Sequence, residues 1–473
     1  MRVSSDLVPA GPGKSASVLK LSVTPDQEDV EYYSARKGKL GHHEVSFSLE
    51  PGWSLEKTHP DLYGLMCLLV LRAFTMRSIV LDRPVSSTFA EIVHKNLKIE
   101  IGPVDPKIAP REMPSNARDG VAFSGGVDSC AALFLMPKNA VPIFMKRSSP
   151  PALAKDSLYR ADAALSSCDA VARAGYDVRQ LETSLEYVRN PIGFPVDWSN
   201  AAPGVLHADQ LGLRSFSFGT IAESAYFLGH EHFSDLKSRA IYRNWAPVFD
   251  GAALPMCLPV AGLSEVTTSR IAIECVPEWL PQSCVRGEAG RPCMRCFKCF
   301  RKTLLEARIT GRKVPDGYFD IVRKSREVSN RLLAQPIHHE DGLAYSLHGQ
   351  WNYDDPIYQA LKLKTTPMYD YGKGLGFLER FYSPAYEYVP EIVREEFKSK
   401  LGRHVAAMTR DDIEIMENWN LHTLTDDERY KRGQAALSSA LGATFHIRET
   451  VEKKVPGLLG IWSRFRSRQR QGS

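Results

Sequence analysis

The sequence predicts an α/β protein with a parallel sheet at its centre, and three observations carry that expectation. From residue 116 to 310, short apolar runs alternate with stretches of helical period. The first run, Gly120 to Phe123, ends in Ser-Gly-Gly and opens into a helical stretch, Val127 to Met136. Pro137 stops that helix, and Val141 to Met145 reads as the next strand. Strands and helices alternating at this length form a parallel sheet with helices on both faces.

The remaining elements of the central region follow the same rule. Asp156 to Ala174 is helical in period and Asp177 to Leu181 is a third strand. Right-handed crossovers then put a ligand site at the carboxyl ends of the strands. Residues 1–115 read as a small α+β domain, with strands at Val18–Val23, Glu44–Leu49, Ser78–Leu81 and Leu97–Ile101. Helices are expected there at Pro60–Ala73 and Ser86–Lys95, with His59-Pro60 as a helix start, because proline suits the first helical position. A linker rich in proline and charge, Pro103 to Asn116, separates it from the centre. Residues 311–473 read as a mainly helical third region, with helices at Glu391–Leu401 and Asp426–Leu441.

The 473 residues are 43% hydrophobic and 24% charged, enough for two or three domains. A net charge of +5 permits an anionic ligand without demanding nucleic acid. The N-terminus has no apolar run of signal-peptide length. The most apolar stretch, Leu62 to Phe74, is too short to span a bilayer and contains Arg72, so it reads as a core helix. A soluble, cytoplasmic protein is expected.

The segment Val121-Ala-Phe-Ser-Gly-Gly-Val-Asp-Ser129 is the most informative. Its glycines allow turn conformations closed to other residues and let phosphate oxygens approach the backbone. The first turn of the following helix adds unpaired N–H groups and the positive end of its dipole. Asp128 would repel a bare phosphate and suits a site in which magnesium sits between the two. A tight turn capped by Asp128 and Ser129 is the plainer reading. The loop is not a Walker A motif, since no Gly-Lys-Ser/Thr follows.

The string SGGVDS resembles the signature of the PP-loop ATP pyrophosphatases. That resemblance implies an adenine nucleotide alpha-hydrolase-like fold and cleavage of ATP between its α and β phosphates. It implies that Ser124, Gly125, Gly126, Val127, Asp128 and Ser129 bind the pyrophosphate and its Mg2+, with Asp128 and Ser129 closest to catalysis. It places Phe144 and Met145, at the end of the second strand, beside adenine. Lys146 and Arg147 either steer anions or form a solvated pair.

Nine cysteines are present, and Cys284, Cys293, Cys296 and Cys299 have the spacing C-x8-C-x2-C-x2-C. Four thiolates in one loop suit a closed, structural zinc site, with Gly287 and Gly290 letting the loop fold back. An iron–sulfur cluster is the competitor. A zinc loop of nearly this spacing is similar to that of the 7-cyano-7-deazaguanine synthases (QueC-type enzymes). Tyr226-Phe-Leu-Gly229 looks like the fourth strand of that family, and Pro259-Val-Ala-Gly-Leu-Ser-Glu-Val266 and Leu280-Pro-Gln-Ser-Cys284 resemble further stretches of it. The likeness covers about residues 118–310. The chain departs from it where that family lines its substrate pocket, carrying Leu206-His-Ala-Asp-Gln-Leu-Gly-Leu-Arg214 and His230-Glu-His-Phe-Ser-Asp235 instead.

His207, Asp209 and Arg214 fall where the family binds substrate, with His230 a further substrate candidate; His230 and His232 are expected to point the same way from a strand end, as a metal or proton-transfer pair or a polar strand end. Arg301 and Lys302 either reach a phosphate or screen the cysteines. Cys130 reads as a small buried hydrophobe. Arginines at every second position from Arg464 to Arg470, with Trp462 and Phe465, would suit RNA, an acidic protein, a membrane surface or a solubilising tail.

The expected function is ATP-dependent adenylation of a carboxylate or carbonyl-type oxygen, followed by attack of a nitrogen nucleophile. The resemblance implies an amide or nitrile product. ATP, Mg2+ and Zn2+ are the expected cofactors. The expected partner is a small molecule, deazapurine-like by the resemblance, rather than nucleic acid or membrane, and oligomerisation is left open. A PP-loop tRNA sulfurtransferase, needing a reactive cysteine among Cys130, Cys168, Cys257 and Cys275, is one alternative. A nucleotide-binding module that recruits a partner without turnover, as in phage defence, is another.

Overall fold

The computed structural model describes residues 1–9, 17–115, 117–149 and 160–442 (the side chain of Ile321 excepted). The arginine-bearing tail and the start of the helix expected at Asp156 lie outside them. The described residues form a mixed α/β fold around one ten-stranded, mostly parallel sheet. Its strands in chain order are β1 (Arg2–Val8), β2 (Val18–Thr24), β3 (Glu44–Ser48), β4 (Ser78–Val85) and β5 (Glu100–Val104). They continue as β6 (Arg118–Ala122), β7 (Val141–Arg147), β8 (Arg179–Thr183), β9 (Leu213–Ser217) and β10 (Met256–Cys257). Across the sheet the order is β10-β9-β6-β7-β8-β3-β2-β1-β4-β5.

The five strands from β6 to β10 are all parallel, with the glycine-loop strand β6 in the middle. The order reverses at β6: the chain moves outward through β7 and β8, then returns to β6's other side for β9 and β10. Such a switch point opens a crevice at the carboxyl ends of the strands. The N-terminal strands do not form a separate sheet. β3 joins β8 antiparallel through Phe47 opposite Thr183, and Ser46 and Ser184 bond each other's backbone at the seam.

The apolar stretch after His59-Pro60 forms the helix Pro60–Leu71, with His59 Nδ1 accepting from the Asp61 N–H at its start. Leu62 to Leu71 are fully buried. A helix apolar on every side belongs inside a core, and this one does. Its Asp61 carboxylate, also buried, accepts from the N–H and hydroxyl of Ser86, which caps the helix Ser87–Leu97.

The fourth parallel strand is Leu213–Ser217, not Tyr226–Gly229. Residues Ala222–Tyr226 are helical, and Phe227–Leu228 pairs only with His232–Phe233 in a two-stranded hairpin. Apolar cores are also partitioned differently from the three sequence regions. One core runs from Met1 through the central sheet to Leu421. The chain from 375 to 421 rejoins the central elements: Tyr382 N–H donates to Gly262 and Leu258 N–H to Tyr388. A second core lies among helices from Phe297 to Leu361, with Leu437.

In that second unit the helices Pro356–Tyr371 and Glu428–Ala440 pack at Gly433. A Cβ at Gly433 would stand 2.3 Å from the Lys364 backbone nitrogen and 2.5 Å from its Cα. Backbone cannot step aside as a side chain can. Gly433→Ala is therefore expected to destabilise this unit by about 1–3 kcal/mol or more, read as an earlier transition in urea denaturation; unchanged unfolding would contradict the packing.

Candidate functional site

The glycine loop lies where β6 meets the helix Val127–Leu135. Gly125 has φ +69, and a Cβ there would stand 3.0 Å from both Ala164 Cα and Ser167 Cβ, so conformation and space each require glycine. Gly126 caps the helix with extended backbone. Ser129 Oγ accepts from the Ser124 N–H at 3.1 Å and donates to Gly126 O at 2.9 Å, which closes the loop on itself. Thr268 Oγ1 donates to Asp128 Oδ1 at 2.7 Å, and Oδ2 accepts no hydrogen bond among the described residues.

These residues line a cleft of about 390 Å³ at the carboxyl ends of the parallel strands. Phe144 and Met145 at the end of β7 line the same space. Phe218, Gly219 and Thr220, just past β9, form the opposite wall. A Cβ on Gly219 would stand 3.3 Å from Ser129 N, so that wall closes directly on the start of the loop helix. Asp197, Asn200 and Arg160 also line the cleft, Arg160 beside the cysteine loop through its N–H on Val285 O and its pair with Glu288. Asp197 is exposed, yet the protein crowding its carboxyl desolvates it and raises it from its ordinary value, and Asn200 Oδ1 is buried without a partner. Lys146 pairs with Glu182, while Arg147 pairs with Glu186 and also lines the cleft.

The four cysteines converge. The sulfurs of Cys284, Cys293, Cys296 and Cys299 all lie within 4.8 Å of one another. A Cβ at Gly287 would meet Arg291 O at 2.4 Å and Cys293 N at 2.8 Å, and Gly290 has φ +68, so both glycines let the loop double back. Cys296 caps the helix Phe297–Thr310, and donation from the Cys299 thiol lowers its thiol from the ordinary range. The cluster could hold a metal such as zinc, which takes four thiolates in closed sites. Gln282 joins it to the loop: its N–H donates to Gly125 O at 2.8 Å, while its side chain bonds Cys284 O, Glu288 O and the Gly290 N–H.

The expected substrate residues lie elsewhere. His207 is buried, with Nδ1 on Pro203 O at 2.7 Å and Nε2 accepting from the Glu50 N–H at 3.3 Å, and burial lowers its pKa. Asp209 accepts from Arg111 Nε and the His59 N–H, both at 2.7 Å. Arg214 pairs with Asp119, which is fully buried and also takes the Ser215 hydroxyl. None of the three lines the cleft. Arg214 opens β9 at its amino end, one strand length from the carboxyl edge.

His230 and His232 do not point together. His230 sits in a left-handed turn at φ 62, against the rings of His338 and His339. His232 groups with Glu231 and His422. Arg301 and Lys302 both pair with Glu265, at the first turn of the helix Glu265–Glu274, rather than reaching the cleft. Thr268, on that helix, and Gly219, Asp197, Asn200 and Gln282 are site residues absent from the sequence candidates. A Gly-Thr pair after an apolar run could have flagged Gly219; nothing local flags Thr268.

A family described as a family of unknown function (DUF6395) matches residues 244–420. That span covers the cysteine loop and the elements packed behind it, but neither the glycine loop nor β7. No curated protein and no solved structure matches the chain. No helix among the described residues is long and apolar enough to cross a membrane.

Two outcomes test these assignments. Cys293→Ser should lose about one equivalent of bound zinc per chain, measured by elemental analysis; retention would remove the cluster as a metal site. Arg214→Ala leaves buried Asp119 without its cation, and should cost about 3 kcal/mol in urea denaturation. A loss below about 0.5 kcal/mol, the size of an ordinary surface change, would return Arg214 to the candidates for ligand binding.

Proposed function

We propose that the chain is a PP-loop, adenylating enzyme that cleaves ATP to AMP and pyrophosphate. One observation carries the reading: the SGGVDS loop, Phe144 and Met145 line a single cleft at the switch point of a parallel sheet. The strand order around β6 also agrees with an adenine nucleotide alpha-hydrolase-like fold. In this reading the pyrophosphate lies on the N–H groups of the loop and of the following helix turn. Adenine lies beside Phe144 and Met145. Asp128 suits magnesium, because Thr268 fixes one carboxylate oxygen and the other is left to a hard cation, which would neutralise phosphate charge.

The acceptor occupies the end of the cleft near Asp197 and Asn200. Its carboxylate oxygen attacks the α-phosphorus and the bond to the β-phosphate breaks. A nitrogen nucleophile then attacks the activated carbon, the bond to AMP breaks, and an amide forms. The loop works by positioning and charge neutralisation, with no covalent nucleophile. A deazapurine carboxylate suits the acceptor oxygens that Asp197 and Asn200 offer to the cleft, since its ring carries N–H donors.

The remaining cysteines favour this chemistry over sulfur transfer. Cys130, Cys168 and Cys257 are buried, and burial pushes each thiol up to about 12. None of them, nor Cys275, lines the cleft.

The test is incubation with ATP, Mg2+, ammonium and 7-carboxy-7-deazaguanine, with AMP and pyrophosphate quantified. Substrate-dependent AMP should form, and Asp128→Ala should lower its rate by about 10²–10³-fold. ATP binding without AMP would point to a recruiting module instead. Equal rates in wild type and Asp128→Ala would sink the loop as the reaction centre.

A further inference from the structure

We propose that His230, His338 and His339 form a second metal site, for a borderline divalent transition ion such as zinc, separate from the cysteine cluster. One ligand nitrogen from each ring lies within 4.8 Å of the other two. The ring centroids are 4.1 Å apart for His230 and His338, 4.0 Å for His230 and His339, and 4.4 Å for His338 and His339. Two distant parts of the chain supply them: the short hairpin after β9 and the entry to the helix Glu340–Leu347.

The backbone is held in unfavourable conformations to bring these rings together. His230 has φ 62 and His339 φ 60, a region that residues with a Cβ seldom occupy. Strain at two members of one cluster is the pattern expected where geometry serves a ligand. Nδ1 of His230 and Nδ1 of His339 are buried and have no hydrogen-bond partner. Buried imidazole nitrogens nearly always find one, and a cation shared among converging lone pairs would satisfy them.

The surrounding charges point the same way. Both carboxylate oxygens of Asp341 and Oε2 of Glu223 are buried without partners, and each residue is at most 2% exposed. Glu265 stands 3.8 Å from His339 Nδ1. The cations beside Glu265, Arg301 and Lys302, are already engaged by it. Glu265 thus sets a carboxylate beside the histidines, an arrangement that favours a cation among them. Carboxylates behind metal-bound histidines also orient the rings and strengthen them as ligands.

Nitrogen ligands select the metal class. Imidazole suits zinc, iron, cobalt, nickel and copper, whereas magnesium and calcium take oxygen. Three protein ligands leave a position open, and His338 is exposed, so solvent reaches the cluster. The neighbouring group of Glu231, His232 and His422 is different. There His422 Nε2 meets Glu231 Oε2 at 2.7 Å on exposed surface, an ordinary ion pair.

The test is metal content of the full chain, loaded with zinc and passed over chelating resin. Wild type should retain about two zinc ions per chain, one for each site. His338→Ala, at an exposed position that leaves the core intact, should retain about one, and so should Cys293→Ser. Cobalt substitution separates the two: His338→Ala should keep the intense thiolate-to-cobalt absorption and lose the weak bands of the nitrogen-bound ion, and Cys293→Ser the reverse. Equal zinc content in wild type and His338→Ala, or a wild-type cobalt spectrum of thiolate type alone, would overturn the proposal.

Discussion

A carboxylate sealed from water must find cations, and the buried Glu265 organises the centre of this molecule by doing so. Burial alone would push its carboxyl up, but Arg301, Lys302 and His339 outweigh that and hold it well below the usual range. Both cations come from the helix that Cys296 caps, so the charge fixes the cysteine unit against the helix Glu265–Glu274. One turn further along, Thr268 orients Asp128 of the glycine loop. At the helix start, Ser264 caps it and donates to Leu378 O, which draws in the chain from 375 to 421. Glycine loop, cysteine loop and histidine cluster therefore share one rigid support. Removing either cation would leave a buried charge exposed to the low dielectric of the interior, which is more damaging than losing a surface pair.

The cleft exists because backbone comes close to backbone around it. Gly125 and Gly219 bring the loop, the helix Asp162–Arg173 and the β9 wall to distances that a Cβ would crowd. The fully buried helix Pro60–Leu71 and the antiparallel seam at Phe47 extend the sheet far beyond the strands that make the cleft. A rigid sheet under a site made of loops is how a fold holds backbone donors in place for an anion.

Local signals in the sequence were reliable here and distant ones were not. SGGVDS folds into one loop at a cleft and the four cysteines converge, because each group lies within a few turns of chain. The His59-Pro60 helix start and the Glu391–Leu401 helix emerge at or beside their expected positions. The fourth strand was misplaced because Leu213–Ser217 carries Arg and Ser between apolar residues, while Tyr226–Gly229 is more apolar yet turns into a hairpin. Arg214 is a substrate candidate only by its place in the stretch where the resembled family lines its pocket, whereas Asp119 already engages it. Thr268 and the pairing of His230 with His338 and His339 depend on segments far apart in the chain, and no period or spacing reports them.

A crystal structure with magnesium and an ATP analogue bearing a methylene bridge between the α and β phosphates tests the central claim most directly. The account predicts β- and γ-phosphate density on the backbone N–H groups of residues 124–129, with adenine beside Phe144 and Met145. Nucleotide bound elsewhere, or a phosphate-free loop at saturating analogue, would contradict it.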